Sequence, residues 1–154
     1  LCVDLPSWLA EMVRHLDHGM AWFIDYGYDT ETYYHPDRNT GTLVCHYRHR
    51  GHFDPFIWPG LTDLSAFVDF GLLKRSALAA KLDMVGLTSQ AEFVLAMGVH
   101  EAVLAQTDEH TRLQKLAELK RLTLPGEMGE KFKLMALARG QQPALEGFCG
   151  SMIP

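Results

Sequence analysis

Three carboxylates and a compact set of thiol and imidazole groups have the most chemistry to offer in this sequence. Asp25 ends an apolar run, while Asp63 and Asp69 flank the apolar stretch LSAFV. Carboxylates can grip a guanidinium through paired, charge-assisted hydrogen bonds. Each has a plainer use as well: Asp69 can cap a helix and Asp63 can close a turn. Tyr26, Tyr28, Tyr33 and Tyr34 follow closely on Asp25. They can line a target pocket, since aromatic walls exclude water and tolerate a delocalised cation, or they can be buried with a satisfied hydroxyl. Cys45, His46, His49 and His52 are zinc-ligand types at close spacing. Arg48 and Arg50 interrupt the set and no Cys-x-x-Cys pair accompanies it, so no metal is assigned. The stretch reads instead as a loop shaping a substrate entrance, with His46 and His49 as contacts, or as plain loop packing.

The elements that must position these groups follow an α/β pattern. Trp8, Leu9, Met12, Val13 and Leu16 have helical spacing, which predicts a helix over 7–18 with Gly19 as its C-cap. The continuous apolar run 20–24, ending in Asp25, Tyr26 and Gly27, predicts a strand buried on both faces. Residues 27–42 read as an ordered loop. A short strand is expected over 42–47, and Pro55, Pro59 and Gly60 predict irregular backbone from His46 to Gly60. Asp69 opens a helix to about Leu82, 84–88 is a strand, and Ser89 opens a helix that Gly98 closes. Two further helices lead to LPGEMG at 124–129, and 131–139 is a last strand. From Gly140 on there is no clear signal.

Composition narrows the class of function. A net charge of -5 argues against a phosphate-binding surface, so nucleic acid is not expected as a partner. Cys2, Cys45 and Cys149 are too few and scattered for a disulfide framework, which suits a reducing compartment: the cytoplasm, or alternatively the mitochondrial matrix. No apolar run is long enough to span a membrane, and none is expected as a partner.

The ordered series FIDYGY at 23–28, GTLVCHYRHRGHFDPF at 41–56, PGLTDLSAFVDF at 59–70, TSQAEFVLAMG at 88–98 and LPGEMGEKFKLMAL at 124–137 resembles the MidA family of class I S-adenosylmethionine-dependent methyltransferases. The resemblance runs from about Pro6 to Arg139. It implies that residues 1–140 are the C-terminal part of a Rossmann-like methyltransferase domain, with 141–154 a tail. This part would supply the last three strands of the sheet, with the final antiparallel strand inserted between the other two. It further implies S-adenosylmethionine as cofactor, a protein substrate methylated on arginine, Asp25, Asp63 and Asp69 as catalytic carboxylates, and Tyr26, Gly27, His46 and His49 on the substrate side. No GxG follows a strand here, so no cofactor-binding residue is assigned, and the chain reads as a piece of a longer enzyme that would be inactive alone. A homodimer is one possible assembly. The alternatives are an interaction module built on the tyrosine- and histidine-rich loops, and a small metal-binding domain.

Overall fold

The computed structural model describes residues 2–140 and 145–148. The chain begins with α1 (Leu5–Met12), started by Pro6 in its first turn, where a missing N–H costs nothing. The helix is shorter than its apolar period suggests. Val13 caps it, the following turn folds Leu16 onto the core, and Gly19 (φ 144°) opens a strand rather than closing the helix. That strand, β1 (Gly19–Tyr28), continues past the expected acidic end.

The segment after β1, expected as loop, carries α2 (Thr30–Tyr33) and a 3-10 turn at Pro36–Arg38. Next come β2 (Leu43–Tyr47), β3 (Arg50–His52), β4 (Asp63–Ala66) and β5 (Val68–Asp69). The stretch expected to be irregular thus contains β3. Arg48 (φ 49°) and His49 (φ 63°) adopt the pair of positive φ values that a two-residue hairpin turn needs, which lets the chain double back in register. The second half comprises α3 (Phe70–Ala79), β6 (Asp83–Ser89), α4 (Gln90–Ala96), α5 (Val99–Leu104), α6 (Glu109–Thr123), the single-turn α7 (Met128–Lys131) and β7 (Phe132–Arg139).

The main sheet has the order β5-β1-β7-β6. β7 runs antiparallel between β1 and β6, as the expectation for 131–138 had it. It is the strand covered on both faces, with Leu134 to Ala138 all buried. β1 is not, contrary to its apolar run: Trp22, Ile24 and Tyr26 are partly exposed, and among the described residues its outer edge is paired only at Gly27 and Tyr28, to β5. Helices α1 and α3 cover one face, where Leu9, Val13, Phe70, Leu73, Met135 and Leu137 form the core. On the other face Trp22 packs on Phe93 of α4 and on Phe148. Residues 145–148 of the expected tail are therefore structured, while the rest of 141–154 lies outside the described residues. Among the described residues, no helix is long and apolar enough to cross a membrane.

A second sheet, β3-β2-β4, stands beside the first and runs through Phe67 into β5. Strand alternation puts Cys45, His52 and Tyr47 on one of its faces, under Trp58, whose ring lies 4.7 Å from that of Tyr47.

Candidate functional site

A cleft of about 720 Å³ lies between the segment Tyr33–Leu43 and the strand junction Ala66–Asp69, with Cys2 and Leu5 at one side. Tyr33 and Tyr34 enter it from the end of α2, their rings 4.9 Å apart in an edge-to-face arrangement. The Tyr33 hydroxyl shares a hydrogen bond with Thr42 Oγ1 at 3.1 Å. Partial burial, and next the Asp69 charge, raise the Tyr34 phenol above its ordinary value. Arg38 also lines the cleft, but its charge is engaged: the guanidinium lies 3.9 Å above the Tyr28 ring and Nε donates to Thr32 O at 2.9 Å.

Among the described residues, Asp69 is the sole carboxylate in the lining, and it is 3% exposed. It is the N-cap of α3, as its position before the helix predicted. Oδ1 accepts the Leu72 N–H at 2.8 Å and the Thr30 hydroxyl at 2.7 Å, and Arg75 Nη1 donates to that same hydroxyl at 3.1 Å. Oδ2 is buried and has no hydrogen-bond partner among the described residues. A buried carboxylate oxygen without a donor is costly, so such an atom calls for a reason.

The other expected site residues do not gather here. Asp25 lies mid-strand, exposed, opposite Lys133, and Oδ1 accepts the Tyr26 N–H at 2.7 Å. Asp63 and His46 face each other across β4 and β2 on the outer face of the small sheet. His49 occupies the hairpin turn. Tyr26 and Tyr28 pack against Phe67 instead of lining the cleft. Gly27 is buried where β1 meets β5: a Cβ there would stand 2.4 Å from Val68 O and 2.5 Å from the Phe70 ring. Close strand approach accounts for that glycine without a ligand. Cys45 and His52 sit on one face of the hairpin and His46 on the other, and among the described residues no three His, Cys, Asp or Glu groups converge as metal ligands do.

Sequence reasoning missed Thr30, Gly71 and Arg75. A Cβ at Gly71 would come within 2.2 Å of Thr30 Oγ1, so the glycine leaves room for the hydroxyl to reach Asp69. Thr30 and Asp69 are 39 residues apart, and no local pattern links them.

A family model described as S-adenosyl-L-methionine-dependent methyltransferase matches residues 1–88. Among curated relatives, the chain is 34% identical over 148 residues to the mitochondrial protein arginine methyltransferase NDUFAF7 of Mus musculus, covering 92% of this chain and 32% of that protein. It is likewise 34% identical to the mitochondrial NDUFAF7 homolog of Drosophila melanogaster, covering 86% of this chain and 29% of the relative. A COG1565 superfamily member from Burkholderia thailandensis, solved bound to S-adenosyl-homocysteine, superposes with a TM-score of 0.87 at 39% identity, covering 94% of this chain and 38% of that one. The chain thus spans about a third of the length of the curated relatives it matches.

Proposed function

The chain belongs to this family of S-adenosyl-L-methionine-dependent methyltransferases, and from that premise we propose that it is the acceptor-side, C-terminal part of an enzyme that methylates an arginine side chain of a protein. The observation that carries the reading is the likeness, over nearly the whole chain, to a structure holding the demethylated cofactor. The arginine acceptor is supported by the curated relatives, which are named protein arginine methyltransferases. Their mitochondrial designation favours the matrix over the cytoplasm as the working compartment. In this reading β1, β7 and β6 are the last strands of a Rossmann-like sheet, residues 1–140 are its C-terminal portion and 141–154 its tail.

In this reading the described residues do not supply the glycine-rich part of an adenosylmethionine cradle. The turns after β1 and β6 are Asp29-Thr30 and a helix start at Gln90, with no glycine-rich run whose amides could hold the cofactor. We therefore place cofactor binding in the remainder of a longer protein. When bound there, S-adenosylmethionine supplies the electrophilic methyl group. The residues of this chain act on the acceptor: they bind and orient it, exclude water and hold the charge of the guanidinium. Of the three carboxylates assigned to that task, Asp69 lines the cleft, while Asp25 on β1 and Asp63 on β4 lie outside its lining.

The test is transfer of labelled methyl from S-adenosylmethionine to an arginine-containing protein by the full-length enzyme. Label recovered as methylarginine is expected. Binding of S-adenosylmethionine without transfer to any arginine would overturn the acceptor assignment. No binding at all would favour the interaction module.

A further inference from the structure

We propose that the floor of the cleft beside α3 is a slot for a guanidinium, in which Oδ2 of Asp69 accepts the ligand's N–H groups and Thr30 is the residue that positions it. This rests on the arginine reading above and names the group that takes the side chain.

The two oxygens of Asp69 have different surroundings. Oδ1 is held by the Leu72 amide and the Thr30 hydroxyl, whereas Oδ2 is buried with no donor among the described residues. Because Arg75 Nη1 donates to Thr30 Oγ1, the hydroxyl proton is directed away from Arg75 and toward Asp69. The carboxylate is thereby fixed through one oxygen, and the other is left for a donor from outside the network. Gly71 makes the arrangement possible by leaving the Thr30 hydroxyl its space.

The lining points to the class of donor. One carboxylate in the cleft is too few oxygens for a divalent cation, which needs six or more ligands. Tyr33 and Tyr34 supply aromatic walls, which suit a flat, weakly hydrated, delocalised cation better than a compact ammonium. Arg38 and Arg75 are like charges nearby, and both are already engaged, one on Tyr28 and Thr32, the other on Thr30. A ligand cation therefore meets one carboxylate oxygen that neither arginine contacts.

The probe is N-methylguanidinium chloride, titrated calorimetrically into the full-length protein that contains this chain. Saturable binding is expected, weakened at least about thirtyfold by Asp69→Asn, since one member of a hydrogen-bonded charge pair is lost. Asparagine remains a good N-cap, so α3 is retained. Thr30→Val should weaken binding about fivefold while Thr30→Ser restores it, a rescue that mere packing would not give. Equal binding by wild type and Asp69→Asn, no saturable binding by wild type, or methylammonium binding as tightly as N-methylguanidinium would each overturn the slot. In the methylation assay, Asp69→Asn should raise KM for the arginine acceptor and leave S-adenosylmethionine affinity within about twofold. Arginine methylation with an unchanged acceptor KM in Asp69→Asn would sink the slot and leave the functional reading standing. Guanidinium binding without any arginine methylation would sink the functional reading and leave the slot standing.

Discussion

Asp69 and Glu92 both sit at helix starts, and each takes its hydrogen bonds on a single carboxylate oxygen. Glu92 gathers the Thr88 hydroxyl, the Ser89 amide and the Ser89 hydroxyl on Oε2, closing a reciprocal capping box at the head of α4. These bonds, the Ser89 amide first, hold the Glu92 carboxyl below its ordinary value of 4.5. A carboxylate depressed in the folded state stabilises the fold above its unfolded pKa, and that contribution is lost as pH falls through the folded pKa. Glu92→Ala should thus cost about 1–2 kcal/mol at pH 7, and the gap from wild type should shrink steadily as the pH is lowered below about 4.5. Urea titrations of both proteins at pH 7 and pH 3.5 would check this, and an equal gap at both would refute it. Asp69 differs in burial: its oxygen without a partner among the described residues is buried and the residue lines the cleft, whereas Glu92 is exposed.

Elements are joined here by a few long-range contacts that carry more weight than their number suggests. Arg139, at the end of β7, donates to Val13 O at 3.0 Å, to Leu16 O at 2.8 Å and to Ala80 O. These carbonyls lie just past the C-termini of α1 and α3, where a cation also suits the negative ends of the helix dipoles. Replacing Arg139 with Met should remove the guanidinium donor from three carbonyls, of which Val13 O keeps the Leu16 N–H, and lower stability by about 2–3 kcal/mol, read as a shift in denaturant midpoint. A second join is the contact of β1 with β5. Gly27→Ala should force Val68 and Phe70 apart and cost about 1–3 kcal/mol. Because Asp69 immediately follows Val68, the same substitution should weaken guanidinium binding although it touches no ligand. Unchanged stability and binding would show that β5 can shift to accommodate the methyl group.

At the scale of the molecule, β1 is the weak side. Its outer edge is unpaired from Gly19 to Tyr26 among the described residues, and Trp22, Ile24 and Tyr26 leave apolar surface exposed beside it. An unprotected, apolar edge strand is a template for association. Residues 1–154 studied alone should therefore self-associate at micromolar concentration, and the association should fall when Ile24 is replaced with Lys. Light scattering would show it. A monodisperse wild-type chain with a steep unfolding transition would mean that the edge is protected within these residues.

Much of this protein was legible in short windows. The N-caps Asp69 and Ser89, the strands 84–88 and 131–139, the glycine that closes α4 and the series of family-like motifs all depend on neighbours a few residues away, and such signals survive without the fold. Apolar content alone misjudged β1, because a run of hydrophobic residues reports that a strand expects cover and cannot say whether cover is present. The length of α1 and the presence of β3 were misread because the turn after Met12 is held by Leu16 packing on the core, and the left-handed pair Arg48–His49 lacks the Asn-Gly type of sequence that marks such a turn. Which of the three carboxylates lines the cleft is set by tertiary structure alone. Asp25, Asp63 and Asp69 are alike as residues, and only the approach of Thr30 across 39 positions, through the space left at Gly71, holds one oxygen of Asp69 and leaves the other free.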